Sequence, residues 1–70
     1  MKPHLYLQIA SKLRTTILRG DYVLGQKIPS IRSLAENEKC NPATIQKAMK
    51  VLEEQNLVIS CGKLGYFVIA

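Results

Sequence analysis

The stretch Pro29–Gln55, PSIRSLAENEKCNPATIQKAMKVLEEQ, holds two short amphipathic segments joined by a tight polar turn. Its second half opens on Asn41-Pro42. Asparagine caps a helix with its side-chain oxygen, and proline suits the first helical position, where an N–H would have no partner in any case. From that start Ile45, Ala48, Met49 and Leu52 recur at i, i+3, i+4 and i+7. At about 100° per residue this spacing gathers them on one face. Ala43, Gln46, Lys47, Lys50 and Glu54 fall on the other face. The pattern predicts a helix over 42–55 with an apolar side for the core and a polar side whose first two turns are basic. Preceded by a second capped helix, it reads as a helix-turn-helix.

That preceding helix starts at Ser30, a good N-cap, and its Ile31, Leu34 and Ala35 can turn toward neighbouring helices. Arg32 is then exposed near the helix start, where a cation opposes the macrodipole. It reads either as a contact to phosphate or a guanine edge, or as an ordinary surface arginine. Asn37-Glu38-Lys39-Cys40 forms the turn, with Cys40 a small buried hydrophobe rather than a reactive thiol.

Upstream, Leu5, Ile9, Leu13 and Ile17 recur every four residues, and Tyr6, Ala10 and Leu18 widen the stripe. This predicts a first helix of roughly four turns. Gly20 supplies the left-handed position that ends it, beside Arg19, whose charge suits the helix dipole. Lys12, Arg14 and Arg19 read either as phosphate contacts or as a solvated face. The connector Asp21-Tyr22-Val23-Leu24-Gly25 is expected to turn Tyr22 and Leu24 inward, and Lys27-Ile28 to run extended into Pro29.

Downstream, Leu57-Val58-Ile59-Ser60 and Tyr66-Phe67-Val68-Ile69 are strand-like, and Cys61-Gly62-Lys63-Leu64-Gly65 is a turn. A hairpin over 57–69 follows. Placed after a helix-turn-helix it is a wing, whose Lys63 can lie against a nucleic-acid backbone or minor groove. A hairpin that only covers the core is the compatible alternative. The expected fold is mainly α with a small β-hairpin: a winged helix-turn-helix of three helices plus a two-stranded wing.

The chain has 70 residues, a net charge of +5, 47% hydrophobic and 21% charged residues, as one compact domain would. A chain so short buries only about 60% of its unfolded surface, which favours a binding module over an enzyme cleft. Excess positive charge suits a polyanionic partner, though solubility alone accounts for many such surfaces. Cys40 and Cys61 form no CxxC and His4 stands alone, so neither a zinc site nor Cys/His catalysis is indicated, and no cofactor is expected. Free thiols fit a reducing cytosol. Asp21, Glu36, Glu38, Glu53 and Glu54 have no paired His or nucleophile, so no catalysis is expected. Met1-Lys2-Pro3-His4 leads directly into the first amphipathic pattern, and no apolar run has the length of a signal or membrane segment. A cytoplasmic protein without a membrane partner is expected. The abrupt apolar ending, Phe67-Val68-Ile69-Ala70, suggests truncation.

Within the 42–55 helix and its cap, Asn41, Ala43, Thr44, Gln46, Lys47 and Lys50 are the residues able to reach a major groove. Gln46 can pair with adenine, Ala43 and the Thr44 methyl can touch a thymine methyl, and the lysines can meet guanine or phosphate. Any surface helix has a polar face, but here Lys47 and Lys50 come early and Glu53 and Glu54 late. The acidic end would point away from phosphates.

The element order and the phrases IPSIRSLA (28–35), NPATIQKA (41–48), LEEQNLV (52–58) and GKLGYFV (62–68), with LYLQI (5–9) and GDYVLGQKI (20–28), resemble the winged-helix DNA-binding domain of GntR-family bacterial transcription regulators. The Asn41-Pro42 start and Ile31 after Ser30 look most like the YtrA-like subfamily, and somewhat less like the regulators fused to aminotransferase-like domains. The resemblance implies sequence-specific binding of double-stranded DNA by a bacterial regulator, expected to be a repressor. It implies contacts from Arg32, from Asn41 through Lys47, and from Gly62 with Lys63. With the bottom-up reading, the candidate DNA-binding set is Ser30, Arg32, Asn41, Ala43, Thr44, Gln46, Lys47, Lys50, Gly62 and Lys63.

Three departures from the family pattern matter. Pro42, Gln46 and Lys47 stand where many relatives carry arginines, so a guanine-rich preference does not carry over. Asn56 replaces a common glycine but tolerates the same left-handed turn. Leu64 separates Lys63 from Gly65, where relatives often have a tighter G-x-G. Full-length relatives continue into a helical dimerisation or effector domain that is not seen here. The expectation is therefore a domain over 1–70 that is a monomer or weak dimer, and a homodimer on a near-palindromic operator for any longer parent. The alternative is a winged-helix protein-protein interaction module without sequence-specific DNA binding. An RNA-binding role finds little support, since Tyr6, Tyr22, Tyr66 and Phe67 form no evident stacking platform.

Overall fold

Helix α1 (Leu5–Leu18), helix α2 (Ile31–Glu38) and helix α3 (Pro42–Glu54) precede strands β1 (Val58–Ser60) and β2 (Tyr66–Val68) in the computed structural model, which describes residues 4–70. Met1, Lys2 and Pro3, and with them the expected lead into α1, lie outside the described residues; His4 is the N-cap of α1, without a side-chain cap bond. α1 packs along α3, and α2 packs against α3 from another side. Ile45, Ala48, Met49 and Leu52 of α3 are completely buried between them, as the helical spacing predicts. Ile28, Leu34, Ala35, Val58 and Val68 close the same core.

The stripe of α1 is narrower than expected. Ile9, Ala10, Leu13 and Ile17 are buried, but Leu5 is 50% and Leu18 59% exposed. Leu18 shares a helical row with Leu7, Ser11 and Arg14, and that row borders a groove open to solvent. Leu5 sits in the first turn, at the end of the stripe.

Each helix stops by the same device. After α1 the Gly20 N–H donates to the Ile17 carbonyl and the Asp21 N–H to the Thr16 carbonyl, with Gly20 at φ 86°. These are the two bonds of a Schellman end, which needs a left-handed residue between them. Cys40 to Ala35 after α2, and Leu57 to Leu52 after α3, repeat the longer bond, with Lys39 (φ 55°) and Asn56 (φ 59°) in the left-handed position. Asn56 thus does what a glycine would do there. α2 runs on through Glu38, so the turn of the helix-turn-helix is later than expected: Lys39-Cys40-Asn41 rather than Asn37 to Cys40. The reason is the closing bond to Ala35, which keeps Asn37 and Glu38 helical. Cys40 is half-buried against the core, and α3 ends at Glu54 with Gln55 as its C-cap.

The connector also differs from expectation. Tyr22 packs against the core, but Leu24 is 72% exposed. Residues 25–28 run alongside β2, with Gly25 and Ile28 N–H groups donating to the Val68 and Tyr66 carbonyls and Val68 N–H to the Gln26 carbonyl. Along this extended run Ile28 points into the core at 1% exposure, and Leu24 lies in the turn before the pairing begins. β1 and β2 are antiparallel, with Val58 opposite Val68, Ile59 opposite Phe67 and Ser60 opposite Tyr66. The valine pair faces the core and Ile59 faces out. Leu57 and Ile69 flank the strands, joined by an N–H to carbonyl bond of 3.0 Å. A 3-10 turn, Gly62–Leu64, forms the hairpin tip, closed by the Cys61 N–H on the Gly65 carbonyl at 2.8 Å.

No helix among the described residues is long and apolar enough to cross a membrane. Among the same residues no three His, Cys, Asp or Glu side chains gather as metal ligands would.

Candidate nucleic-acid interface

Two side-chain caps set the helix-turn-helix. Ser30 Oγ accepts the Ser33 N–H at 3.1 Å and donates to the Ser33 Oγ at 3.0 Å, which starts α2 and leaves Arg32 exposed on its first turn. Asn41 Oδ1 accepts the Ala43 N–H at 2.8 Å, so the carboxamide oxygen is engaged in the cap while its NH2 stays free for a donor contact. Such a cap stabilises a helix start by about 1 kcal/mol. Across the turn, Arg32, Lys39, Asn41 and Pro42 border one shallow recess, which brings the α2 arginine beside the start of α3.

Ala43, Gln46, Lys47 and Lys50 are exposed on the outer face of α3, and Thr44 is half-buried. Lys47 and Lys50 lie toward α1, in a recess shared with Tyr6, Val51 and Glu54. The Lys47 ammonium stands over the Tyr6 ring. Gly62 and Lys63 are exposed at the hairpin tip and line neither recess. The candidate residues therefore form three groups: Arg32 with Asn41 at the turn, Ala43 to Lys50 along α3, and Gly62 with Lys63 on the wing. Ser30 joins the first group by position, with its hydroxyl held in the α2 cap.

Of the cations Lys12 and Arg14 on α1 and Arg19 at its C-cap, two have structural partners. Lys12 Nζ bridges to Glu38 at 3.0 Å, tying α1 to the end of α2, and Arg19 pairs with Asp21 at 3.2 Å. Pairs this exposed contribute at most about 1 kcal/mol. Arg14 borders the α1 groove. Among these cations, the solvated-face reading fits Lys12 and Arg19.

Residues missed in the sequence stand near the same surface. Lys39, left-handed and exposed in the turn, borders the Arg32 recess. Lys27 runs beside β2 and its stem passes Gly65, where an added Cβ would lie 3.3 Å from Lys27 Cε. Both are lysines in segments that read as turn and connector, where no periodicity assigns a face. Tyr6 was legible only as part of the α1 stripe.

A short α2, a three-residue turn, an exposed α3 face and a hairpin immediately after it define a winged helix-turn-helix domain. Residues 5–68 match the model of the family described as bacterial regulatory proteins, gntR family, and the chain belongs to that family. It is 33% identical over 64 residues to the HTH-type transcriptional repressor YtrA of Bacillus subtilis, covering 91% of this chain and 49% of that protein. A GntR family transcriptional regulator from Listeria monocytogenes superposes with a TM-score of 0.90 at 37% identity, over 97% of this chain and 59% of the other. The crystal structure of AraR(DBD) in complex with operator ORR3 superposes with a TM-score of 0.92 at 29% identity, over 97% of this chain and 82% of the other. The chain spans about half the length, or less, of the curated relatives it matches.

Proposed function

We infer that residues 1–70 form the DNA-binding domain of a cytoplasmic bacterial transcription regulator that binds double-stranded DNA sequence-specifically. α3 enters the major groove, and the hairpin over 57–69 lies against the backbone or minor groove. The observation that carries this reading is the α3 face: Ala43, Gln46, Lys47 and Lys50 are exposed on one helix whose opposite side is wholly buried, with Arg32 at its start. Gln46 offers a donor and an acceptor to an adenine edge, and Ala43 offers a methyl to thymine. Arg32, Lys39, Lys50 and Lys63 supply cations for phosphates, which hold the register. The likeness to AraR(DBD), crystallised with an operator, supports the DNA reading, and the name of YtrA supports repression as the outcome. The domain acts by binding and carries out no catalysis. A longer parent would act as a homodimer on two half-sites, while this chain alone binds as a monomer or weak dimer.

Selection from a random duplex pool tests the reading. A recurrent short motif, bound at least tenfold more tightly than a scrambled duplex, is expected; no enrichment would overturn sequence-specific binding. A second reading has its own observation: Ile59, Leu64 and Ile69 leave an apolar surface on the hairpin. If that surface meets a protein and the domain binds no DNA, pull-down of the partner would be insensitive to salt.

A further inference from the structure

α3 carries Lys47, Lys50, Val51 and Glu54 along one row, and this row faces Tyr6 in the first turn of α1. Tyr6 is half-buried and packs against the core. Lys47 Nζ lies over that ring, 5.9 Å from the centroid, within the ~6 Å over which an ammonium is drawn to an aromatic face. His4 stacks beside Tyr6, with centroids 5.7 Å and planes 20° apart. Lys50 borders the same recess, but among the described residues Lys47 is the cation recorded over a ring.

The consequence concerns where a flexible side chain goes. A free lysine samples both flanks of its helix, and holding it to one flank removes part of the ordering that binding would otherwise require. Gln46 and Lys47 leave α3 about 100° apart. The Tyr6 ring draws the Lys47 ammonium further to the α1 side, away from the Gln46 side.

We propose that Tyr6 is a positioning residue for DNA contact: its ring holds the Lys47 ammonium at the α1 flank of α3, where it meets a backbone phosphate, and leaves base reading to Ala43 and Gln46. The proposal rests on the DNA-binding reading above. Its chemistry is a cation held by a quadrupole and delivered to an anion, with no part taken by the tyrosine hydroxyl.

The test is a double-mutant cycle on the full chain, read by fluorescence anisotropy with the duplex that the chain enriches from a random pool. Tyr6→Leu keeps apolar bulk and loses the ring face, and should weaken binding about two- to fivefold, the part of one lysine's ordering that the ring no longer supplies before binding. Tyr6→Phe keeps the face and should bind like the unmodified chain. In a Lys47→Ala background Tyr6→Leu should have no further effect, whereas in a Lys50→Ala background its effect should persist in full. Lys47→Ala should leave the enriched motif unchanged. Equal loss from Tyr6→Leu with and without Lys47 would overturn the proposal, as would Tyr6→Phe binding as poorly as Tyr6→Leu, or a changed motif in Lys47→Ala. If the pool yields no enriched duplex, the DNA-binding reading itself fails; if one is enriched but neither Lys47→Ala nor Lys50→Ala alters affinity for it, α3 is not the DNA face; if both do and the coupling is absent, only the role of Tyr6 fails.

Discussion

Lys50→Ala is the substitution whose effect can be worked most directly from the structure. Lys50 is exposed on the outer face of α3, two turns from the helix start and opposite the buried row of Ile45, Met49 and Leu52. If α3 enters the groove as proposed, removal of Lys50 takes away one phosphate contact, and it leaves the core untouched. Each phosphate neutralised on duplex DNA contributes about 0.9 to the slope of log affinity against log salt. Losing one contact should therefore flatten the slope by about 0.9, so that the ratio of unmodified to variant affinity shrinks about 3.5-fold between ~50 and ~200 mM salt. Anisotropy titrations over a salt series measure this, with Lys12→Ala as the control. Lys12 carries the same charge but is bridged to Glu38 on another part of the surface, so its removal should leave the slope nearly unchanged. Equal flattening by both substitutions, or by neither, would refute the assignment of α3 as the DNA face.

Two further predictions concern how the helix-turn-helix is held. Asn41→Ala removes the acceptor of the 2.8 Å cap bond and should destabilise the domain by about 1 kcal/mol, read by chemical denaturation with an unchanged m-value. Lys39→Gly relieves a left-handed residue at φ 55° and should stabilise the fold by up to ~1 kcal/mol, read as a raised melting temperature, while lowering duplex affinity through the lost cation.

The parts of the fold that depend on local chemistry were legible in the sequence. Asn41-Pro42 marks the start of α3, its apolar spacing marks the buried face, and Ser30, Gly20 and Asn56 act at helix ends as their side chains or backbone freedom dictate. What depends on distant partners was not. Periodicity gives α1 a stripe but does not say where its neighbours stop, so Leu5 and Leu18 read as core and stand exposed. The pairing of residues 25–28 with β2 joins segments some forty residues apart, and it decides that Ile28 points in while Leu24 stays out. The same holds for the site. The α3 face follows from one helical wheel, but Tyr6 under Lys47, Lys39 beside Arg32 and Lys12 on Glu38 are meetings between elements.

The most direct test of the account is a shift-perturbation titration of the chain with the enriched duplex, followed by NMR. The three groups on the surface, the turn, the α3 face and the wing tip, belong to one interface only if they respond as one. Arg32, Thr44, Gln46, Lys47 and Lys63 should move together along a single binding curve, with Lys12 and Arg19 unmoved. Shifts confined to scattered lysines, or centred on Ile59, Leu64 and Ile69, would contradict the winged-helix DNA face.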